Sequence, residues 1–181
     1  MKTTKFDPTA DDVAAIWSLR EELLAQNWPA SGPGAWKPAV NDADACGRKG
    51  LVDNLAFRVW AGRDRGGYRY PPFQFLTDGS VNPKLQELMG VLERQPQLHP
   101  DNDKSGWERA LWLYLPRGSL SERSLALRAA RLEEVVEAPG RFAAISDVAR
   151  TPAEVFLDAP QAVIDLANDD ADQHVPESAM Y

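Results

Sequence analysis

The side chains that most often carry enzyme chemistry are few in this sequence and lie far apart. His99 and His174 are the two histidines, and neither has a histidine or cysteine at the spacing of a metal site. Cys46 is the single cysteine, and no histidine close in sequence suggests an activating base. The glycines of residues 62–67 match neither a Walker loop nor a dinucleotide-binding fingerprint. We therefore expect a protein that is not an enzyme and that uses no catalytic residue, metal or cofactor.

Positive charge is concentrated in one stretch of an acidic chain. The formal net charge is −7, yet residues 48–70 contain six basic and two acidic residues. Because such side chains bind phosphate oxygens, we take five of them as candidate DNA contacts: Arg48, Lys49, Arg63, Arg65 and Arg69. Two alternatives stay open. The arginines can instead protect an edge strand from aggregation, or they can contact another protein.

Negative charge is concentrated at the other end of the chain. Residues 150–181 contain one arginine and seven acidic residues. A basic partner would meet such a segment favourably, so Glu154, Asp158 and Asp165 are candidate partner-binding residues. The alternative is that they are helix caps and solvated faces, and for Glu154 and Asp158 capping is the favoured interpretation.

The elements of the first half suggest a small winged-helix-like domain with a basic hairpin over residues 1–75. Apolar residues at helical spacing follow Thr9 and predict one buried face: Val13, Ile16, Trp17, Leu19, Leu23 and Leu24. A short helix is expected over residues 51–55. Alternating residues then predict a strand near 57–61, a glycine turn over 62–67 and a second strand at 68–70. Trp17, Trp107 and Trp112 are expected in the core, and Trp28 is expected to clamp its loop to the body.

The second half is predicted to be a helical bundle over residues 76–167. Helix-start signals precede apolar residues at helical spacing, at Asn82–Pro83, Ser105, Ser121, Thr151–Pro152 and Asp158. The helix that begins at Ser121 is expected to continue to near Gly140. Residues 168–181 are polar and acidic, and we expect a flexible tail. The predicted fold class is mainly α with a small β-hairpin.

Several segments resemble the toxin-binding domain of the Xre/MbcA/ParS-like antitoxins. The resemblance covers about residues 70–167 and rests on "YPPFQF", "GWERALWLYLPRGSL" and "RTPAEVF…APQAVIDLA". The family's pattern matches Pro116–Leu120, Arg150–Phe156 and Val163–Leu166 here, whereas residues 121–149 form an insertion. The resemblance implies a toxin protein as partner, such as a RES-type toxin that consumes NAD, and repression of an operon.

These observations predict a non-enzymatic, antitoxin-like interaction protein of a bacterial toxin–antitoxin system. The alternative is a DNA-binding transcriptional regulator that uses the hairpin at residues 62–70 to bind operator DNA. No segment approaches the roughly 20 apolar residues of a membrane span, so no membrane partner is expected. A single cysteine is typical of a reducing compartment, and we expect a cytoplasmic protein in a homo-oligomer or hetero-complex.

Overall fold

Helices form most of the structure, and one small hairpin accompanies them. The computed structural model describes residues 9–26, 28–29, 56–130 and 139–173. Its α-helices are α1 (Ala10–Ala25), α2 (Leu85–Leu92), α3 (Trp107–Tyr114), α4 (Glu122–Ala129), α5 (Pro139–Ala143), α6 (Pro152–Phe156) and α7 (Pro160–Gln173). Strands β1 (Val59–Trp60) and β2 (Tyr68–Arg69) pair antiparallel, and short 3-10 helices span Pro72–Gln74 and Gly118–Leu120. The predicted class, mainly α with a small β-hairpin, is confirmed.

The hairpin lies where the sequence predicts it, although its strands are shorter. Val59 pairs with Arg69 and Trp60 with Tyr68. The turn between them is built on positive-φ glycines, which adopt such backbone angles without steric cost. Pairing stops after Arg69 because the backbone N–H of Tyr70 donates to the Pro29 carbonyl, 3.0 Å away, outside the hairpin.

The segment "YPPFQF" is an internal brace of the fold. Gln74 is fully buried, and its side-chain oxygen accepts a hydrogen bond from the Phe57 N–H at 2.7 Å. Its Nε2 donates to the carbonyls of Phe57 and Pro71 at 2.8 and 2.9 Å. One glutamine thus satisfies three backbone groups that no strand pairs. The stretch therefore reads mainly as core, since Tyr70 and Phe73 are buried as well.

Of the five helix starts predicted in the second half, two are confirmed and three differ. The helix predicted to start at Asn82–Pro83 starts further along the chain, at Leu85, with Lys84 as its N-cap. Thr151 forms a full capping box at the start of α6, and Ser121 caps α4. The capping box predicted at Ser105 is wrong, because the buried Asp103 carboxylate caps α3 instead, accepting from the backbone N–H groups of residues 108 and 109 at 3.2 and 3.0 Å. The last helix begins at Pro160, two residues beyond Asp158.

The helix after Ser121 is shorter than predicted. Ala130 has an extended backbone (φ −75°, ψ 148°) and ends α4 at residue 129, while residues 131–138 lie outside the described part. The following segment folds back on α4, because the Arg123 guanidinium donates to the carbonyls of Phe142, Ala143 and Ile145 at 3.0–3.1 Å. Arg123 also pairs with Asp147 at 2.9 Å. Arg123 therefore links α4 to residues 142–147 within the predicted insertion.

One buried cluster joins both halves of the described chain. It contains Leu23, Trp28, Phe57 and Val59 together with the apolar faces of α2, α3, α6 and α7. The domain boundary predicted at residue 75 stays a prediction, and the cluster spans it.

The short helix expected at residues 51–55, part of the winged-helix pattern, lies outside the described residues. Residues 168–173, which the sequence assigns to the acidic tail, belong to α7.

Candidate partner-binding surfaces

The hairpin arginines predicted to contact DNA are largely engaged within the chain. Arg65 donates to the Glu21 carboxylate of α1 at 2.5 Å. Arg69 donates to the Tyr68 carbonyl at 3.2 Å and to the Arg65 carbonyl. Arg63 is exposed in the turn, whereas residues 48 and 49 (Arg48 and Lys49) lie outside the described part. The structure therefore brings three of the five candidates together, and two of these already bind oxygen atoms of this protein.

The hairpin also carries an aromatic surface. Trp60 and Tyr68 meet edge to face with ring centroids 4.9 Å apart, and the Arg58 guanidinium lies 4.2 Å from the Tyr68 centroid. Gly67 adjoins this arrangement, and its φ of +90° favours glycine, whereas a Cβ there would only touch the Trp60 ring at 3.4 Å. Trp60 remains 38% exposed. The result is a small, fixed patch of rings and arginine on the side of the hairpin.

The three carboxylates predicted to bind a partner have different local roles. Glu154 accepts the Thr151 N–H at 2.7 Å and completes the capping box of α6, so the capping interpretation is confirmed for this residue. Asp158 is exposed in the turn between α6 and α7. Asp165 is exposed on α7 and accepts from Gln161 Nε2 at 2.9 Å. Glu154 is exposed as well, but its carboxylate is engaged in the capping box, so Asp158 and Asp165 are the exposed candidates outside that cap.

The acidic end of α7 is partly neutralised by arginines from elsewhere in the fold. The pairs are Arg94–Asp172, Arg117–Asp170 and Arg128–Asp169, with N–O distances of 2.5, 3.8 and 3.9 Å. The Trp112 Nε1–H also donates to Asp170 at 2.8 Å. Because these carboxylates already have cationic or N–H neighbours, much of the negative charge on α7 serves to hold the bundle together.

Sequence reasoning missed an exposed apolar surface on α1. Val13 and Ile16 are each 40% exposed and Trp17 is 54% exposed. Their spacing places them on one side of the helix, and we call them the α1 strip. The expectation that Trp17 lies in the core is wrong, whereas Trp107 and Trp112 are buried as predicted. The described side chains of residues 9–18 are all exposed, so the first half of α1 extends beyond the packed body.

Arg20 fixes the α1 strip to that body. Its guanidinium lies 4.3 Å from the Trp17 ring centroid and 4.4 Å from that of Trp107. Burial lowers the pKa of Arg20, and the nearby carboxylates of Glu21 and Glu108 oppose that shift. An arginine stays protonated under such conditions, so both rings face a permanent cation. The guanidinium therefore joins the exposed Trp17 ring to the buried Trp107 ring.

A chain of aromatic rings continues from Trp107 into the core. Trp28 stacks on Trp107 with ring centroids 6.3 Å apart and meets Tyr114 at a tilt of 34° with centroids 5.2 Å apart, and the Phe73 and Tyr114 centroids are 6.2 Å apart. Trp28 therefore packs against the body as predicted. Burial raises the pKa of the Tyr114 hydroxyl. Through these contacts, the surface-exposed Trp17 is connected to the buried core.

A cleft of about 420 Å³ lies beside α2. It runs between Gln86, Met89, Gly90 and Glu93 on the helix and Phe57 and Arg109 opposite. Arg109 is held by the buried Asp103, with Nε 3.0 Å from Oδ2. No histidine or cysteine is among the described lining residues.

The described ranges contain neither a candidate metal site nor a candidate membrane span. Within 9–26, 28–29, 56–130 and 139–173, no group of three His, Cys, Asp or Glu side chains is placed to hold a metal ion. His99 lies 3.5 Å from Asp101 in the loop before α3, while His174 and Cys46 fall outside these ranges. No described helix has the length and apolar character needed to cross a bilayer.

Comparison of the chain with protein-family models, curated proteins and solved structures finds no match. The likeness to antitoxin domains therefore stays a prediction from the quoted motifs.

Proposed function

We propose that this protein is a non-enzymatic interaction protein of the antitoxin type, which binds a toxin protein and neutralises it. The observation that carries the proposal is the α1 strip, with Trp17 more than half exposed at its centre. Tryptophan is enriched among the residues that dominate binding energy at protein interfaces. An amphipathic helix that presents an i, i+3, i+4 apolar strip is also a common way to occupy a partner's groove.

The contact between the strip and the packed body supports this proposal. Binding usually costs free energy because side chains must be immobilised, roughly 0.5–1.5 kcal/mol for each flexible one. The stacking of Trp17 on Arg20, which itself lies against the buried Trp107, reduces that cost. An inhibitor needs shape and anchors of this kind, and it does not need a reactive side chain.

Operator binding by the hairpin is the second candidate function. Arg63, exposed in the turn, favours it, and so does the neighbouring patch of Trp60 and Tyr68. We rank it second because Arg65 and Arg69 would have to exchange intramolecular partners for phosphates.

The test is co-expression with the protein encoded by the neighbouring reading frame, with cell growth and co-purification as readouts. We expect the wild-type chain to restore growth. Trp17→Ala should weaken the binding free energy by at least about 2 kcal/mol, or roughly 30-fold in affinity, so that the toxin no longer co-purifies with it. Two matched variants of the hairpin, Trp60→Ala and Arg63→Ala, should still neutralise the toxin. Full neutralisation by Trp17→Ala would remove the support that the α1 strip gives, and absence of neutralisation by wild type would overturn the proposed function.

A further inference from the structure

Resting on the proposed function, we infer that the partner receives the α1 strip in an apolar groove whose rim carries lysine or arginine side chains. The floor of the partner's groove must be apolar, because Val13, Ile16 and Trp17 together present one apolar side of a helix. The second half of α1 is already packed, since Leu23 is buried in the core and Leu19 and Leu24 pack against that core. The occupant must therefore come to the first half of the helix.

The negative charge around the strip predicts basic side chains at the rim of the partner's groove. The 16 residues of α1 include four acidic side chains and one arginine, and Arg65 of the hairpin pairs with one of the four, Glu21, so the helix together with Arg65 carries −2. Glu108, which is exposed at the start of α3, is near enough for its charge to act on Arg20, which lies beside Trp17. Carboxylates at the edge of an apolar contact favour a partner with opposite charge and accelerate its approach.

A second copy of this chain fits the same surface poorly. Two strips facing each other would bring together two helices that each carry −2 even with Arg65 counted, in chains of net charge −7. Like charges across an interface oppose association. In addition, the strip's one cation, Arg20, is already enclosed between two rings, so it offers little to a neighbouring carboxylate. A basic protein is therefore the favoured occupant.

The experiment uses the full chain and two labelled synthetic helical peptides. Both peptides share one leucine face, and the polar face carries lysine in one and glutamate in the other. Fluorescence anisotropy measures their binding to wild type, Trp17→Ala and Glu108→Lys. Trp60→Ala is the matched control for loss of an exposed indole, and Glu122→Lys on α4 is the matched control for the change in net charge.

We expect the lysine peptide to bind wild type at least about 10-fold more tightly than the glutamate peptide. Trp17→Ala and Glu108→Lys should each weaken that binding, the former by about 10-fold or more, and both controls should bind as wild type. The inference is overturned if the two peptides bind equally, if neither binds, or if Trp17→Ala has no effect. It is also overturned if wild type sediments as a dimer that Trp17→Ala dissociates. Growth rescue by wild type without charge preference among peptides would end this inference alone, whereas no rescue would end the proposed function.

Discussion

At the scale of single residues, Gln74 shows how a side chain can replace a strand. Phe57 precedes β1 and has no backbone partner across the hairpin, while the prolines of "YPPFQF" have no N–H to offer. The glutamine amide matches both backbone groups of Phe57, because it carries one acceptor and two donors. Its second donor binds Pro71. The segment that enters the hairpin is therefore fixed to the segment that leaves it.

Replacing Gln74 by leucine should lower the free energy of unfolding by about 2–4 kcal/mol. Leucine fills similar space, but it leaves the buried N–H and C=O of Phe57 without partners, at about 1–3 kcal/mol for each group. Urea denaturation followed by circular dichroism measures the change. Gln86→Leu, at an exposed position of α2, is the matched control and should change stability by less than about 0.5 kcal/mol. Equal effects of the two substitutions would show that the amide contributes no specific hydrogen bonding.

At the scale of elements, the start of α3 is fitted closely against β1. The Trp60 N–H donates to the Ser105 carbonyl at 2.7 Å, and the Trp107 Nε1–H donates to the Trp60 carbonyl at 2.9 Å. Gly106 lies between these contacts with φ +78°, and a Cβ there would lie 2.3 Å from the Arg58 carbonyl oxygen. Helix and strand can approach this closely only because the position has no side chain.

Two glycine-to-alanine substitutions should therefore have opposite effects. Gly106→Ala should destabilise the protein by at least about 2 kcal/mol, because it combines an unfavourable backbone angle with a clash against backbone. Gly90→Ala should stabilise it by about 0.5–1 kcal/mol, since a Cβ at this position in α2 meets nothing within 4 Å and alanine favours the helix. Thermal unfolding of both variants beside wild type measures the pair. A stable Gly106→Ala protein would mean that β1 and α3 are not packed in this way.

Local signals in the sequence identified elements better than they identified surfaces. The capping box of Thr151 was predictable because cap and partner lie three residues apart. Asp103 was not, since its carboxylate replaces the nearer Ser105 only when the loop folds back. The exposure of Trp17 was also hidden, because an apolar face at helical spacing looks the same whether the body covers all of the helix or only its second half. Arg63, Arg65 and Arg69 lie on the hairpin as predicted, but the partner of Arg65 is Glu21, 44 residues away in sequence, which no local pattern reveals.

At the scale of the whole molecule, the buried cluster makes the two predicted domains share one core. Trp28, from the first half, is 3% exposed and packs between Trp107 and Tyr114 of the second. The main helix contacts, α2 with α7 and α6 with α7, lie on the other side of the same cluster. Neither half can lose its packing without exposing apolar surface of the other.

The described chain should therefore unfold in one cooperative transition. We expect tryptophan fluorescence and far-ultraviolet circular dichroism to give the same midpoint in urea, which is the usual test of two-state behaviour. Trp28→Ala should lower the stability by about 3–5 kcal/mol, as for other buried aromatic residues, and it should shift both signals together. Two separated transitions would instead support a boundary at residue 75.

The position of Trp17 gives the protein a natural optical reporter. Its indole is half hydrated in the free chain and is held in one environment by the guanidinium beside it. When an apolar groove closes over that ring, water leaves it and its emission moves to shorter wavelength. Docking at the first turns of α1 would therefore shift the tryptophan fluorescence of the unmodified protein, and the binding could be followed in time without an attached dye.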